Sequence, residues 1–278
     1  MSERVLIAGC GDLGRRVASR LLARGDEVYA LRRQPSAQDD SPVHWIRADL
    51  TDARSLRDLP AGITQLVYSP TPDARDEMAY RRIFVDGLQH LLGALDQQSL
   101  HRVLFVSSSA VYGEHGEAWV DEDTPPAPPG FNGNVLLEAE AWLTNQPFRS
   151  VVLRLAGLYG PGRTHVVNQL RTGTARVSRQ VRHWANRIHI EDAAAAIVHL
   201  LCIDEPQNLY LGVDDTPLPL DVLYDDLATL IHAPAAAEGP APSGVGSKRL
   251  SNARLRASGF RFQWPDSRAG YAELLKAR

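Results

Sequence analysis

Glycines at positions 9, 11 and 14, in the run Gly9-Cys10-Gly11-Asp12-Leu13-Gly14, follow a short apolar stretch and precede a helix-like one. That spacing suits phosphate chemistry. Gly9 permits a tight turn, Gly11 lets backbone approach a pyrophosphate, and Gly14 lets the helix lie close to the strand. The helix start at Asp12 and Leu13 offers backbone N–H donors to an anion. The plainer alternative is a glycine turn that binds nothing; the strand before it and the amphipathic helix after it favour a dinucleotide. The second strand ends in Ala30-Leu31-Arg32-Arg33. A carboxylate there would bind a ribose 2′-hydroxyl, whereas two guanidiniums suit a 2′-phosphate, gripped in bidentate fashion. NADP is therefore favoured over NAD, against the reading of Arg32 and Arg33 as solvated residues of an arginine-rich chain. Asp49-Leu50 would flank the adenine, and Ser69-Pro70-Thr71 would lie beside the ribose and phosphates.

These residues need a scaffold that gathers strand ends. Strand-length apolar runs at 5–8, 27–31, 44–47, 65–69, 103–107 and 150–155 alternate with helix-like segments at 13–24, 80–97 and 134–144. In the 80–97 segment, Ile83, Leu88, Leu91, Leu92 and Leu95 recur at helical spacing. Alternation of this kind implies right-handed crossovers and a parallel sheet covered on both faces. The expected fold class is α/β, a Rossmann-type doubly wound parallel sheet with a small C-terminal substrate lobe. The expected division is a nucleotide domain over 1–165 and a lobe over 166–278, some of whose segments return to the first domain. Further helices are expected at 191–201 and 220–231 and a strand at 209–212. The Ala-, Gly-, Pro- and Ser-rich stretch 235–247 reads as a mobile surface loop.

Composition narrows the function classes. The chain has 278 residues, 44% hydrophobic and 23% charged, with a formal net charge of -3. That charge makes no electrostatic case for nucleic acid or an anionic membrane. No apolar run reaches the roughly 18 residues that span a bilayer. Cys10 and Cys202, the only cysteines, make no disulfide framework, which fits a cytoplasmic protein. The histidines show no metal-ligand spacing, and the aspartates form no cation loop.

The glycine turn, together with Val106-Ser107-Ser108-Ser109-Ala110-Val111-Tyr112-Gly113, the acidic and proline-rich stretch 121–129, and Arg154-Leu155-Ala156-Gly157-Leu158-Tyr159-Gly160-Pro161-Gly162-Arg163, resembles the extended short-chain dehydrogenase/reductases. These are also described as NAD-dependent epimerases and dehydratases. Arg187-Ile188-His189-Ile190-Glu191-Asp192 and the segment 210–231 extend the resemblance over nearly the whole chain, and the atypical YeeZ-like subgroup is the most similar. The resemblance implies a catalytic serine, a tyrosine acting as acid or base, and a lysine four residues after it. Ser108 matches the serine. The tyrosine and lysine positions fall on Phe131 and Val135.

No shift of alignment restores that pair, because none of the eight tyrosines has a lysine four residues later and the first lysine is Lys248. Losing a positioned acid or base costs about 10²–10⁴ in rate. Ser109-Ala110 also stands where the family's dehydratases carry an Asp-Glu pair. Tyr112 is a candidate substitute proton donor, against a packing role. Asn132 and Asn134 could hold a ribose in place of lysine, or simply make a turn. Ser108 could bind a substrate oxygen or cap a turn. Arg163, His183, Arg187 and His189 fall where the family places substrate contacts, with His189 in a mainly structural element. Cys10 reads as a small filler rather than a redox sensor.

Two functions are compatible with these residues. One is an NAD(P)-dependent oxidoreductase or epimerase acting on a small polar or nucleotide-linked substrate. The other is a non-catalytic sensor of the NADPH/NADP ratio that signals to a protein partner. The resemblance adds a homodimer packed through helices.

Overall fold

The first strand, β1 (Arg4–Ala8), is buried along most of its length, as a strand covered on both faces must be. In the computed structural model, which describes residues 2–35, 42–242 and 244–276, β1 leads through Gly9 into α1 (Asp12–Ala23). That helix buries Gly14, Val17, Ala18 and Leu21 along one stripe. Gly25, left-handed at φ +89°, ends it. The Gly25 N–H donates to Leu22 O at 2.9 Å and the Asp26 N–H to Leu21 O at 3.1 Å, which satisfies two carbonyls of the last turn.

The chain returns through β2 (Glu27–Arg32), β3 (His44–Arg47), β4 (Gln65–Tyr68) and β5 (Arg102–Ser108), joined by parallel pairings in the order β3-β2-β1-β4-β5. The strands Arg149–Leu155 and Leu209–Gly212 complete a seven-stranded Rossmann-type sheet. Strand order reverses between β1 and β4, so the connections leaving their C-terminal ends diverge and open a crevice. Register aligns that edge: Ala8 lies beside both Leu31 and Tyr68. Strand positions thus agree with the sequence to within a residue or two. α4 (Phe131–Thr144) begins three residues earlier than the periodicity predicts.

The expected continuous helix over 80–97 is three pieces: α2 (Glu77–Arg81), a π-helical turn over Arg82–Asp86, and α3 (Gly87–Ala94). Tyr68 is the cause. Its buried hydroxyl donates to the Ile83 carbonyl, drawing that group out of the ordinary helical ladder. Gly87 makes room, since a Cβ there would sit 3.0 Å from the Tyr68 hydroxyl.

Two compact units are formed. The first comprises Met1–Ser108, Phe131–Arg154 and Ala194–Tyr210; the second comprises Ser109–Gly130, Leu155–Ala193 and Leu211–Arg278. The second unit's core gathers Tyr159, Val167, Leu170, Leu223, Leu227 and Tyr271. Its helices His165–Arg171, Leu220–Leu230 and Ser267–Lys276 pack together there. The stretch expected to be a mobile loop over 235–247 is partly anchored. Ala237–Glu238 pairs parallel with Arg176–Val177. Gly246 lies against Gly113, and the Ser247 N–H donates to Glu114 at 2.7 Å. Ser243 lies outside the described residues. Among the described residues, no helix is long and apolar enough to cross a membrane.

Candidate functional site

The crevice at the switch point is a cleft of about 670 Å³ built wholly from the first unit. Gly9 forms its floor at φ +86°, and a Cβ there would lie 2.4 Å from Pro70 Cα, so only glycine fits. Gly11 is the opposite case: a Cβ there would meet nothing within 4 Å. It precedes α1, whose N-terminus has no side-chain cap, so the first-turn N–H groups keep their capacity for an anion. Gly14 packs the helix onto the strand, with its Cβ position 3.2 Å from Gly9 O and from Ile7. Gly9, Gly11, Arg32, Arg33, Asp49, Leu50, Pro70 and Thr71 line the cleft, whereas Asp12, Leu13, Gly14 and Ser69 are not among its lining residues.

Asp49 Oδ1 accepts the Thr51 N–H at 2.9 Å and the Thr51 hydroxyl at 2.8 Å, and the Ser55 hydroxyl caps its backbone. The carboxylate is therefore fixed in direction. Arg33 makes a two-pronged ion pair with Asp73. That hydrogen-bonded guanidinium holds the Asp73 carboxyl below the usual carboxylate range. Among the described residues Arg32 has no ion-pair partner. The π-turn contributes Arg82 and Ile83 to the wall.

The end of β5, on the same C-terminal edge of the parallel sheet, has a different character. Ser108 ends β5 and is partly exposed. The preceding Ser107 hydroxyl donates to Glu140, and Glu140 in turn accepts Arg154 Nη2 at 2.6 Å. All three residues are buried, so one ion pair ties β5, α4 and the strand Arg149–Leu155 together. Phe131 opens α4 with its ring edge-on to Tyr80, centroids 5.4 Å apart. Val135, one turn later, is 2% exposed.

A sequence profile for the NAD dependent epimerase/dehydratase family matches residues 5–210. The chain belongs to that family. Protein YeeZ of Escherichia coli K12 is 30% identical over 278 aligned residues, covering 95% of this chain and 97% of YeeZ. A Methylobacillus flagellatus structure, provisionally described as an NAD-dependent epimerase/dehydratase, superposes with a TM-score of 0.85. It is 40% identical and covers 100% of this chain and 99% of its own. The Thermus thermophilus UDP-glucose 4-epimerase in complex with NAD shares the fold, with a TM-score of 0.79, 22% identity, and coverage of 98% and 99%.

Within the second unit of this epimerase/dehydratase family member, Tyr112 is fully buried and donates its hydroxyl to Asp121 O at 3.0 Å. Its backbone carbonyl accepts Lys248 Nζ, also at 3.0 Å. Burial lowers the Lys248 pKa to about 8. His189 stacks on Trp264 with centroids 3.8 Å apart and accepts the Glu191 N–H on Nδ1 at 3.3 Å. Asp192 takes the Gln263 and Trp264 N–H groups at 2.9 Å. His183 is buried, and desolvation lowers its pKa. Arg187 lies beside Gly157, where a Cβ would meet its guanidinium.

Sequence reasoning missed several residues. Asp73 stands 40 positions from Arg33 in a loop without periodicity, and Arg82 was hidden in an apparently regular helix. The buried Glu140–Arg154 pair left no signal beyond two charges in apolar segments. Asp214 was also passed over. Burial raises its pKa to about 8, and among the described residues neither its Oδ2 nor the Tyr159 hydroxyl has a hydrogen-bond partner.

Proposed function

We propose that the chain is an NADP-binding oxidoreductase or epimerase, acting on a small polar or nucleotide-linked substrate without the usual tyrosine–lysine dyad. The observation that carries the cofactor preference is the pair Arg32 and Arg33 at the end of β2, lining the cleft where a carboxylate would favour NAD. The cleft's donors fit a dinucleotide: an uncapped helix N-terminus for an anion, an open face at Gly11, and guanidiniums for a further phosphate. Gly9, Gly11 and the backbone at Asp12 and Leu13 would hold the pyrophosphate, and Arg32 and Arg33 the 2′-phosphate. Asp49 and Leu50 would flank the adenine, with Ser69, Pro70 and Thr71 along the ribose and phosphates. When bound, the nicotinamide supplies the donor or acceptor of hydride.

Ser108 would orient a substrate oxygen from the end of β5. Phe131 has no proton to give, and Val135 is packed away from water; proton movement then falls to substrate or solvent groups. The buried Tyr112 hydroxyl, already committed to Asp121 O, favours a packing role for that residue. The same apolar Phe131 and Val135 support a second reading, a sensor of the NADPH/NADP ratio without turnover.

Hydride tracing tests the choice. The protein is incubated with NADPH deuterated at the transferable C4 position and a metabolite extract, and products are read by mass spectrometry beside Ser108→Ala and no-protein controls. A deuterated product formed only by the unaltered protein establishes a reductase and identifies its substrate. Binding of NADPH without label transfer removes the reductase. An assay of isotope exchange within candidate sugar nucleotides then separates an epimerase from the sensor.

A further inference from the structure

We infer that Asp73 is a built-in competitor for the adenosine 2′-phosphate, releasing Arg33 only when a 2′-phosphorylated dinucleotide enters; this rests on the NADP reading above. Arg33, just beyond β2, and Asp73, in the connection from β4 to α2, are brought together from different strand ends. Both line the same cleft. Their contact is two-pronged, so it uses the guanidinium fork that a phosphate would need.

Arg32, by contrast, has no ion-pair partner among the described residues. Among the described residues, one guanidinium is thus without an ion pair and its neighbour is held. The pair is open to water, with side chains 55% and 65% exposed, so it is weak enough to exchange. A phosphate carries more charge than one carboxylate and offers the same bidentate geometry. Arg82, on the π-turn, also lowers the Asp73 proton affinity by its charge. It gives the displaced carboxylate a second cation to turn toward. NADH, whose ribose bears only a hydroxyl there, has no group that competes for the Arg33 fork. Asp73 thus sets a threshold that affects NADPH and leaves NADH largely indifferent.

Equilibrium titrations with NADPH and NADH, read by nicotinamide fluorescence and calorimetry, test this on the wild type, Asp73→Asn, Arg33→Ala and the double variant. Arg33→Ala is expected to weaken NADPH about ten- to hundredfold, the range for a hydrogen bond to a charged group. Asp73→Asn is expected to raise the ratio of NADPH to NADH affinity roughly two- to fivefold, the size of an exposed ion pair. That gain should vanish when Arg33 is also replaced. If Arg33→Ala weakens NADPH but Asp73→Asn leaves the ratio where it was, the competitor role falls and the 2′-phosphate reading stands. If Arg33→Ala itself leaves the ratio unmoved, the 2′-phosphate reading falls and takes the competitor with it.

Discussion

Along one C-terminal edge of the first unit's sheet, the strand ends at the switch point and the end of β5 solve opposite problems. At the switch point the chain keeps side chains and backbone open: Gly11 faces empty space, α1 is uncapped, and charged groups line an accessible cleft. Around Ser108 the chain closes instead, with Phe131 set against Tyr80, Val135 buried, and Glu140, Arg154 and Ser107 bonded out of solvent. Glycine and charged groups keep one strand end open, and apolar packing fills the other.

The largest expected effect lies at the closed end. Glu140→Ala leaves Arg154 buried without its partner and should cost about 3–5 kcal/mol in urea denaturation. A cost below 1 kcal/mol would show that this end is looser than its burial implies.

A matched pair of glycine variants sharpens the contrast within the open end. Gly9→Ala drives a Cβ into Pro70 backbone at positive φ and should cost about 1–3 kcal/mol of stability, as other overpacked sites do. Gly11→Ala should leave stability within about 0.5 kcal/mol, since nothing surrounds it. It should instead cost about 1–3 kcal/mol of dinucleotide affinity by crowding the ligand. Equal losses of stability would erase the distinction between turn glycine and approach glycine.

A pH effect from the second unit must be separated before either end is titrated. The Asp214 pKa is raised by burial to about 8, against about 3.9 in an unfolded chain. The folded state therefore holds the extra proton between those values, and stability falls as pH rises from about 4 to 8. Asp214→Asn should flatten the change in Tm between pH 5 and pH 8.5 by at least the equivalent of about 1 kcal/mol. An unchanged slope would place the titration elsewhere. The smallest effect belongs to Phe131→Tyr, expected within about 0.5 kcal/mol because its ring is only partly buried. If that change alone raised hydride transfer, the closed end would be one hydroxyl from ordinary catalysis.

Much of the scaffold was legible because two periodicities alternate and the glycine turn fixes where the first strand ends. β1 to β5 fall within a residue or two of their expected bounds for that reason. The 80–97 helix was misjudged because its interruption comes from Tyr68, a residue on a strand whose hydroxyl reaches a carbonyl 15 positions later. The 235–247 stretch looked mobile by composition, yet Gly246 is glycine because Gly113 lies against it. In the cleft, Arg32 and Arg33 were visible at a strand end, whereas Asp73 is meaningful only through the partner folding gives it.

The π-turn at Arg82–Asp86 has a consequence for how this wall can change over time. A helix of constant pitch locks every later side chain to every earlier one, so gaining or losing a single residue rotates all that follows by about 100°. A wide turn takes up one residue of slack. Leu88, Leu91 and Leu92 can thus keep their phase against the sheet while the cleft-facing segment before them varies in length as well as in identity.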